Sequence, residues 1–183
     1  MRTDEIARGP RARWAAALLA GAALLAGCSS DEAAKPDAPP AGGRAGGKAE
    51  IVMAPEGNDE VAAVVRAELE RARRDGRDLV VYVGAPWCEP CTRFHKAVEA
   101  GELDATFPAL RLLEFDHDRD EARLAQAGYA SKMIPLFAAP AASGEASPLR
   151  VEGSVKGERA VATIVPRLAS LLAQVRGGAA RAD

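Results

Sequence analysis

The chain has 183 residues, 48% of them hydrophobic and 27% charged, which suffices for one ordinary domain with a buried core and excludes wholesale disorder. Its formal net charge of −2, from 24 basic and 26 acidic residues, argues against a nucleic-acid binder built on a basic surface. No apolar run reaches the ~18 residues of a membrane-spanning helix, and three cysteines are too few for a disulfide-stapled scaffold.

Residues 1–27 read as an export signal rather than as part of a fold. Arg2, Arg8, Arg11 and Arg13 make a basic opening, and Trp14 to Ala26 is an apolar stretch of 13 residues, too short to span a bilayer. The stretch ends in Leu25-Ala26-Gly27-Cys28, which resembles the lipobox of bacterial lipoproteins. The resemblance implies cleavage before Cys28, acylation of that cysteine and anchoring in the cell envelope. Several acyl chains hold a protein stably on a membrane. Ser29 follows the cysteine, where an Asp would commonly mark inner-membrane retention, so the periplasmic face of the outer membrane is favoured over the inner. Residues 28–50 are then the lipidated cysteine and a linker, with Pro36, Pro39, Pro40 and paired glycines at 42–43 and 46–47. The linker has almost no large apolar residue to offset the entropy of ordering it, so it is expected to act as a flexible tether of ~25 Å.

From residue 51 to 176 the pattern is that of an alternating α/β domain. Ile51-Val52-Met53 is a short first strand. Asn58 is placed to cap a helix whose stripe is Val61, Val64, Val65, Leu69 and Ala72, and Gly76 stops it. Leu79 to Val83 is a continuous apolar run, expected of a strand covered on both faces. A helix starting at Cys88 buries Phe94 and Val98 and ends at Gly101. Leu110 to Phe115 is the next strand, and Glu121 to Ala127 a short helix, with the acidic run 116–120 read as a solvated loop that caps it. Leu136–Ala139 and Leu149–Glu152 flank the turn-rich Ser143-Gly144-Glu145 and form a hairpin. Glu158 to Arg176 is a final amphipathic helix interrupted by Pro166, and residues 177–183 are a disordered tail.

The chemistry is concentrated in Trp87-Cys88-Glu89-Pro90-Cys91, a C-x-x-C between a buried strand and a helix start. A thiolate there meets the positive end of the helix dipole and free backbone N–H groups, which lower its pKa. The i, i+3 spacing puts both sulfurs on one side of the first turn, within reach of a bridge. Pro90 suits the first turn, where its missing N–H costs nothing. With Cys28 acylated, Cys88 and Cys91 are the only thiols left, and so short a loop closes little chain entropy, so stability explains the pair poorly.

Here residues 50–176 resemble the thioredoxin superfamily, through Trp87-Cys88-x-x-Cys91 after the strand and Ile134-Pro135 before the hairpin, the proline 47 residues beyond Cys88. The resemblance implies a thioredoxin-like α/β fold, a central mixed sheet of 4–5 strands flanked by helices, with a C-terminal hairpin and helix. It implies that Cys88, at the exposed helix end, attacks a substrate disulfide and that Cys91 resolves the mixed disulfide. Trp87 and a cis Pro135 would shape the substrate groove, Ile134 would offer backbone hydrogen bonds to an extended segment, and Gly153 would lie near that groove. No organic cofactor and no metal is implied, because the cysteine pair is itself the redox group. Partners would be exported proteins with thiols or disulfides, the membrane through Cys28, and a recycling redox protein, but no nucleic acid.

Two positions depart from the pattern. The buried acid that thioredoxin carries six residues ahead of the first cysteine is here Tyr82, which weakens the case for fast reductase chemistry. Glu89 sits between the cysteines, and a carboxylate disfavours a neighbouring thiolate, which pushes away from a strong oxidase and favours the reductase direction. Glu-Pro also occurs in thioredoxin-like proteins that reduce apocytochrome c, but their insertion before the proline has no room here. The rival reading is a thioredoxin-like copper or other metal chaperone, since Cys88, Cys91 and His95 fall at i, i+3 and i+7 on one helical face. The other histidine, His117, lies in Asp116-His117-Asp118-Arg119-Asp120, which begins like a calcium loop but has Glu121 at the glycine position and Ala127 at the terminal Glu position. A third reading, an interaction module that kept only the fold, has no use for an intact cysteine pair.

Overall fold

The computed structural model describes residues 47–179. The stretch 1–27 read as an export signal, Cys28, the expected linker up to residue 46 and residues 180–183 lie outside the described residues. In chain order the elements are β1 (Glu50–Met53), α1 (Val61–Arg74), β2 (Asp78–Gly84), α2 (Glu89–Glu99), β3 (Leu110–Asp116), α3 (His117–Gln126), β4 (Leu136–Pro140), β5 (Ala146–Glu152) and α4 (Arg159–Ala179). They build one five-stranded sheet in the order β1-β3-β2-β4-β5. β1 and β2 run parallel to β3, while β4 is antiparallel to β2 and β5 to β4. A mixed sheet in this order, flanked by helices and closed by a hairpin and a helix, is the thioredoxin-like α/β fold.

The sheet is covered on both faces, which is why β2 is a continuous apolar run rather than an alternating one. Val80 and Tyr82 face a core shared with Phe94 of α2 and Ile164, Leu168 and Leu172 of α4. Leu79, Val81 and Val83 face the opposite core with Val61, Val65 and Ala72 of α1 and Leu124 of α3. β2 thus lies at the centre of the sheet, and its C-terminal end delivers the cysteine pair.

Several boundaries differ from the sequence reading, each for a local reason. Asn58 does not cap α1; Glu60 occupies the cap position without a side-chain cap bond. The segment before α1 is held instead by Arg123 of α3, whose guanidinium donates to the carbonyls of Asp59 and Pro55 at 3.3 and 3.0 Å. Helix α3 starts at His117, four residues early, because Asp116 Oδ1 accepts the N–H groups of Asp118 and Arg119 at 3.0 and 2.8 Å. The acidic run is therefore the first turn of a helix, where carboxylates favour the dipole, and not a solvated loop. Asp120 is only 1% exposed. Burial would push its carboxyl up, but the hydrogen bonds and charges of Arg119 and Arg123 outweigh burial and hold it below the usual carboxylate range. Helix α4 runs through Pro166 without a break and on to Ala179, beyond the expected end at Arg176. Arg176 pairs with Asp78 at the start of β2 at 2.6 Å, which ties this last stretch to the sheet. Among the described residues, no helix is long and apolar enough to cross a membrane.

The hairpin tip docks on α1. Gly144 has φ +88°, and a Cβ built there would lie 2.0 Å from the carbonyl oxygen of Ala62. Arg66 donates to the Ser143 carbonyl, and the buried Tyr129 hydroxyl donates to the Gly144 carbonyl. β4 in turn pairs with β2 through Val83 and Leu136, which carries Pro135 to the level of Gly84, just ahead of the C-x-x-C segment.

Candidate active site

Beyond Gly84 the chain turns through Ala85-Pro86-Trp87, with the Cys88 N–H donating to the Ala85 carbonyl at 3.0 Å, and Cys88 takes the N-cap position of α2. Its extended backbone (φ −78°, ψ 103°) leaves the side chain free to reach back, and Sγ accepts the N–H of Cys91 at 3.3 Å. Pro90 stands in the first turn, as its missing N–H allows. Cys88 and Cys91 form a disulfide, with Cα atoms 5.2 Å apart. Against the expectation of an exposed Cys88, both residues are buried in this oxidised state, at 4% and 2%. The sulfur of Cys88 turns inward to its partner and to the Cys91 N–H instead of outward to solvent. When the bridge opens, that same N–H and the helix dipole stabilise negative charge on Cys88.

The neighbouring elements fix the surround. Trp87 is 65% exposed, yet its Nε1–H donates to Asp118 Oδ2 at 2.6 Å and its ring meets His117 edge-on. Trp87 first and His117 second hold the Asp118 carboxyl below its ordinary value. The early turn of α3 therefore has a task that the sequence did not reveal, the orientation of Trp87. The Ile134–Pro135 bond is cis. Ile134 is half-buried against both cores, Pro135 is buried, and the Pro135 carbonyl accepts the Gly153 N–H at 2.8 Å. Gly153 has φ +65°, and a Cβ there would come within 2.8 Å of Met133 Cε. Met133 and Val155 are exposed, as Trp87 is. They went unnoticed in the sequence because single apolar residues in loops are common.

Glu89, between the cysteines, is held by partners in two parts of the chain. It accepts from the Arg93 guanidinium and from the Gly157 N–H at 2.9 Å, which ties the loop before α4 to the start of α2. These bonds, Arg93 first, hold its carboxyl below the usual range, so it stays ionised while part of its charge is offset.

Tyr82 is fully buried, stacked on Phe137 with ring centroids 5.1 Å apart and tilted against Phe94 and His95. Burial, with Glu114 second, pushes its phenol far above the ordinary value, so it remains neutral. A carboxylate does stand nearby, one strand over. Glu114 pairs with Tyr82 in the β2–β3 register and is 7% exposed, and its Oε1 lies 2.9 Å from His95 Nε2. A lone Glu in the run Leu110–Phe115 was the available signal, since an acid in a strand covered on both faces needs a partner. His95 thus turns to Glu114, and among the described residues no group of three His, Cys, Asp or Glu side chains is disposed to hold a metal ion.

The strand order and the bridged C-x-x-C at a helix cap define a thioredoxin-like domain with a closed dithiol. No family model and no curated protein matches the chain. Among solved structures it is similar to Fasciola hepatica thioredoxin, with 26% identity, a TM-score of 0.38, and coverage of 51% of this chain and 83% of that one. It is similar also to oxidised thioredoxin O1 from Arabidopsis thaliana, with 17% identity, a TM-score of 0.41, and coverage of 68% and 96%. A poplar thioredoxin h gives 19% identity, a TM-score of 0.40, and coverage of 68% and 95%. The fold assignment stands on the strand order above and not on these likenesses.

Proposed function

We propose that the chain is a lipid-anchored, envelope-facing thiol–disulfide oxidoreductase that exchanges disulfides with exported proteins. The observation that carries this reading is the Cys88–Cys91 bridge at the N-cap of α2, closing a loop of two intervening residues. Loop-closure entropy gives such a bridge only ~2 kcal/mol, against ~3 for a 15-residue loop, while the cap gives it a stabilised thiolate. In the reducing direction the Cys88 thiolate attacks a substrate disulfide and forms a mixed disulfide, and one substrate sulfur leaves as thiolate. Cys91, as thiolate, then attacks Cys88 Sγ, closes the bridge and releases the second substrate sulfur. Two electrons pass to the substrate without an organic cofactor, and a separate redox partner must restore the dithiol. The exposed Trp87, Met133 and Val155 suit an apolar segment on the substrate, and Pro135 with Ile134 supports the same side. Anchoring through Cys28 on the periplasmic face, with the outer membrane favoured, rests on the lipobox-like sequence alone.

The reducing direction is favoured because Glu89 keeps its negative charge beside Cys88, and the Arg93 pairing offsets only part of it. The reduction potential of the Cys88–Cys91 pair in the full chain tests this. A value near about −270 mV is expected, the range of a reductase. A value near about −120 mV would reverse the direction, and one far below about −300 mV would make the bridge structural and overturn the exchange reading.

A further inference from the structure

Behind the disulfide lies a second cluster, on the far side of Cys91 from Trp87 in the sequence, that the exchange steps above do not use. Cys91 and His95 stand four residues apart on α2, hence one turn apart on the same face. Glu114 comes up from β3 to meet His95 Nε2 at 2.9 Å, and its other oxygen, Oε2, is buried with no hydrogen-bond partner among the described residues. Cys91, His95 and Glu114 line one cavity of about 360 Å³. If the pair served only to pin α2 to β3, a neutral hydrogen-bonded pair would do so without a half-satisfied carboxylate in the interior. A titratable pair opening onto the same cavity as a reacting sulfur has another use.

We propose that the His95–Glu114 pair holds and moves the proton of Cys91. The proposal rests on the exchange reading above. When the mixed disulfide resolves, the Cys91 thiol gives its proton to the pair and the Cys91 thiolate attacks Cys88 Sγ. The Cys88–Cys91 bond forms as the Cys88–substrate bond breaks, and the substrate sulfur leaves with the electron pair. When the bridge is opened, an incoming thiolate bonds to Cys88 Sγ, Cys91 leaves as thiolate, and the imidazolium returns the proton to it.

The surroundings favour this assignment. Glu114 from β3, Glu99 from α2 and the neutral Tyr82 ring from β2, at 5.6 Å, act on the imidazole, and Asp116 from β3, Lys96 from α2 and Met53 from β1 line the same cavity. The Glu114 and Glu99 carboxylates raise the proton affinity of the neutral ring, which makes it a base able to take the Cys91 proton. The Glu114 bond raises the His95 pKa above its ordinary value, and burial opposes it without prevailing. Once it has taken the proton, the imidazolium one turn from Cys91 stabilises the Cys91 thiolate, and by reciprocity that thiolate holds the proton on His95 more firmly.

The chain contains two histidines, so both rings can be followed by NMR titration in the full chain, and His117→Asn assigns them. The Cys91 thiolate is followed by its ultraviolet absorbance in a Cys88→Ser background. His95→Gln is expected to cut the thiolate fraction of Cys91 at pH 7 by about tenfold, one pKa unit. The His95 midpoint is expected to lie higher in the Cys88→Ser protein, once Cys91 ionises, than in the disulfide form. Glu114→Gln, nearly isosteric, is expected to bring the His95 midpoint back down, and it keeps the test decisive if His95→Gln fails to fold. Identical Cys91 titrations with and without His95, or a His95 midpoint indifferent to the state of Cys91, would overturn the proposal. A wild-type chain whose Cys91 and His95 titrations are coupled but which exchanges with no thiol or disulfide would overturn the exchange reading and leave the coupling standing.

Discussion

Replacing Cys88 by serine is expected to abolish disulfide exchange, a loss of at least about 10³-fold, and to leave the domain folded. The size of the loss follows from the chemistry: a serine hydroxyl neither ionises near neutral pH nor forms a disulfide, so the first step has no nucleophile. The tolerance of the fold follows from the position. Cys88 is the N-cap of α2, where its sulfur accepts the Cys91 N–H, and serine is among the residues that fill that role best. The substitution replaces a weak sulfur acceptor with a strong oxygen one and removes a bridge worth ~2 kcal/mol. Stopped exchange with an intact circular dichroism spectrum and cooperative melting is the expected pair of observations. Residual exchange at the wild-type rate would place the reacting thiol elsewhere.

The largest expected effect on stability comes from a residue far from the sulfurs, Gly144→Ala. Two costs combine there. Gly144 has φ +88°, which an alanine adopts at a penalty of ~1–2 kcal/mol. The new Cβ would also lie 2.0 Å from the Ala62 carbonyl oxygen, 2.9 Å from its carbon and 3.1 Å from the Arg66 nitrogen. All three are backbone atoms of α1, so no side chain can swing aside and the hairpin must lift off the helix. That would also strain the Tyr129 hydroxyl bond to the Gly144 carbonyl. A loss of at least ~3 kcal/mol is expected, read as a melting temperature lower by about 10 °C. Gly76→Ala is the control, since Gly76 has φ +67° but a Cβ there meets nothing within 4 Å. If Gly144→Ala costs no more than Gly76→Ala, the hairpin is not seated on α1 as described.

How far the sequence could be read depended on whether the signal was local. β2 was legible because a strand covered on both faces must be apolar throughout, and the cysteine pair was legible because both residues lie in one helical turn. The acidic run was legible as a cap, but not as the first turn of α3 itself, because five charged or polar residues in a row look like a solvated loop until Asp120 is seen to draw Arg119 and Arg123 onto itself. The Gly157 bond to Glu89 was not legible, because the two residues are 68 apart in sequence. The Glu114–His95 contact is likewise made only by packing α2 on the sheet. Position 82 made the interior look devoid of an acid, whereas the strand register sets Glu114 directly across from it. Sequence patterns report the faces of single elements; contacts between elements have to be seen in three dimensions.

The central claim is that Cys88 attacks and Cys91 resolves, and the reduced full chain carrying Cys91→Ser tests it most directly when mixed with a disulfide-containing protein such as insulin. Without the resolving thiol, the mixed disulfide should accumulate as a covalent one-to-one adduct through Cys88, released by dithiothreitol and missing when Cys88 is also replaced. No adduct, or an equal adduct formed through Cys91 when Cys88 alone is replaced, would contradict the assignment.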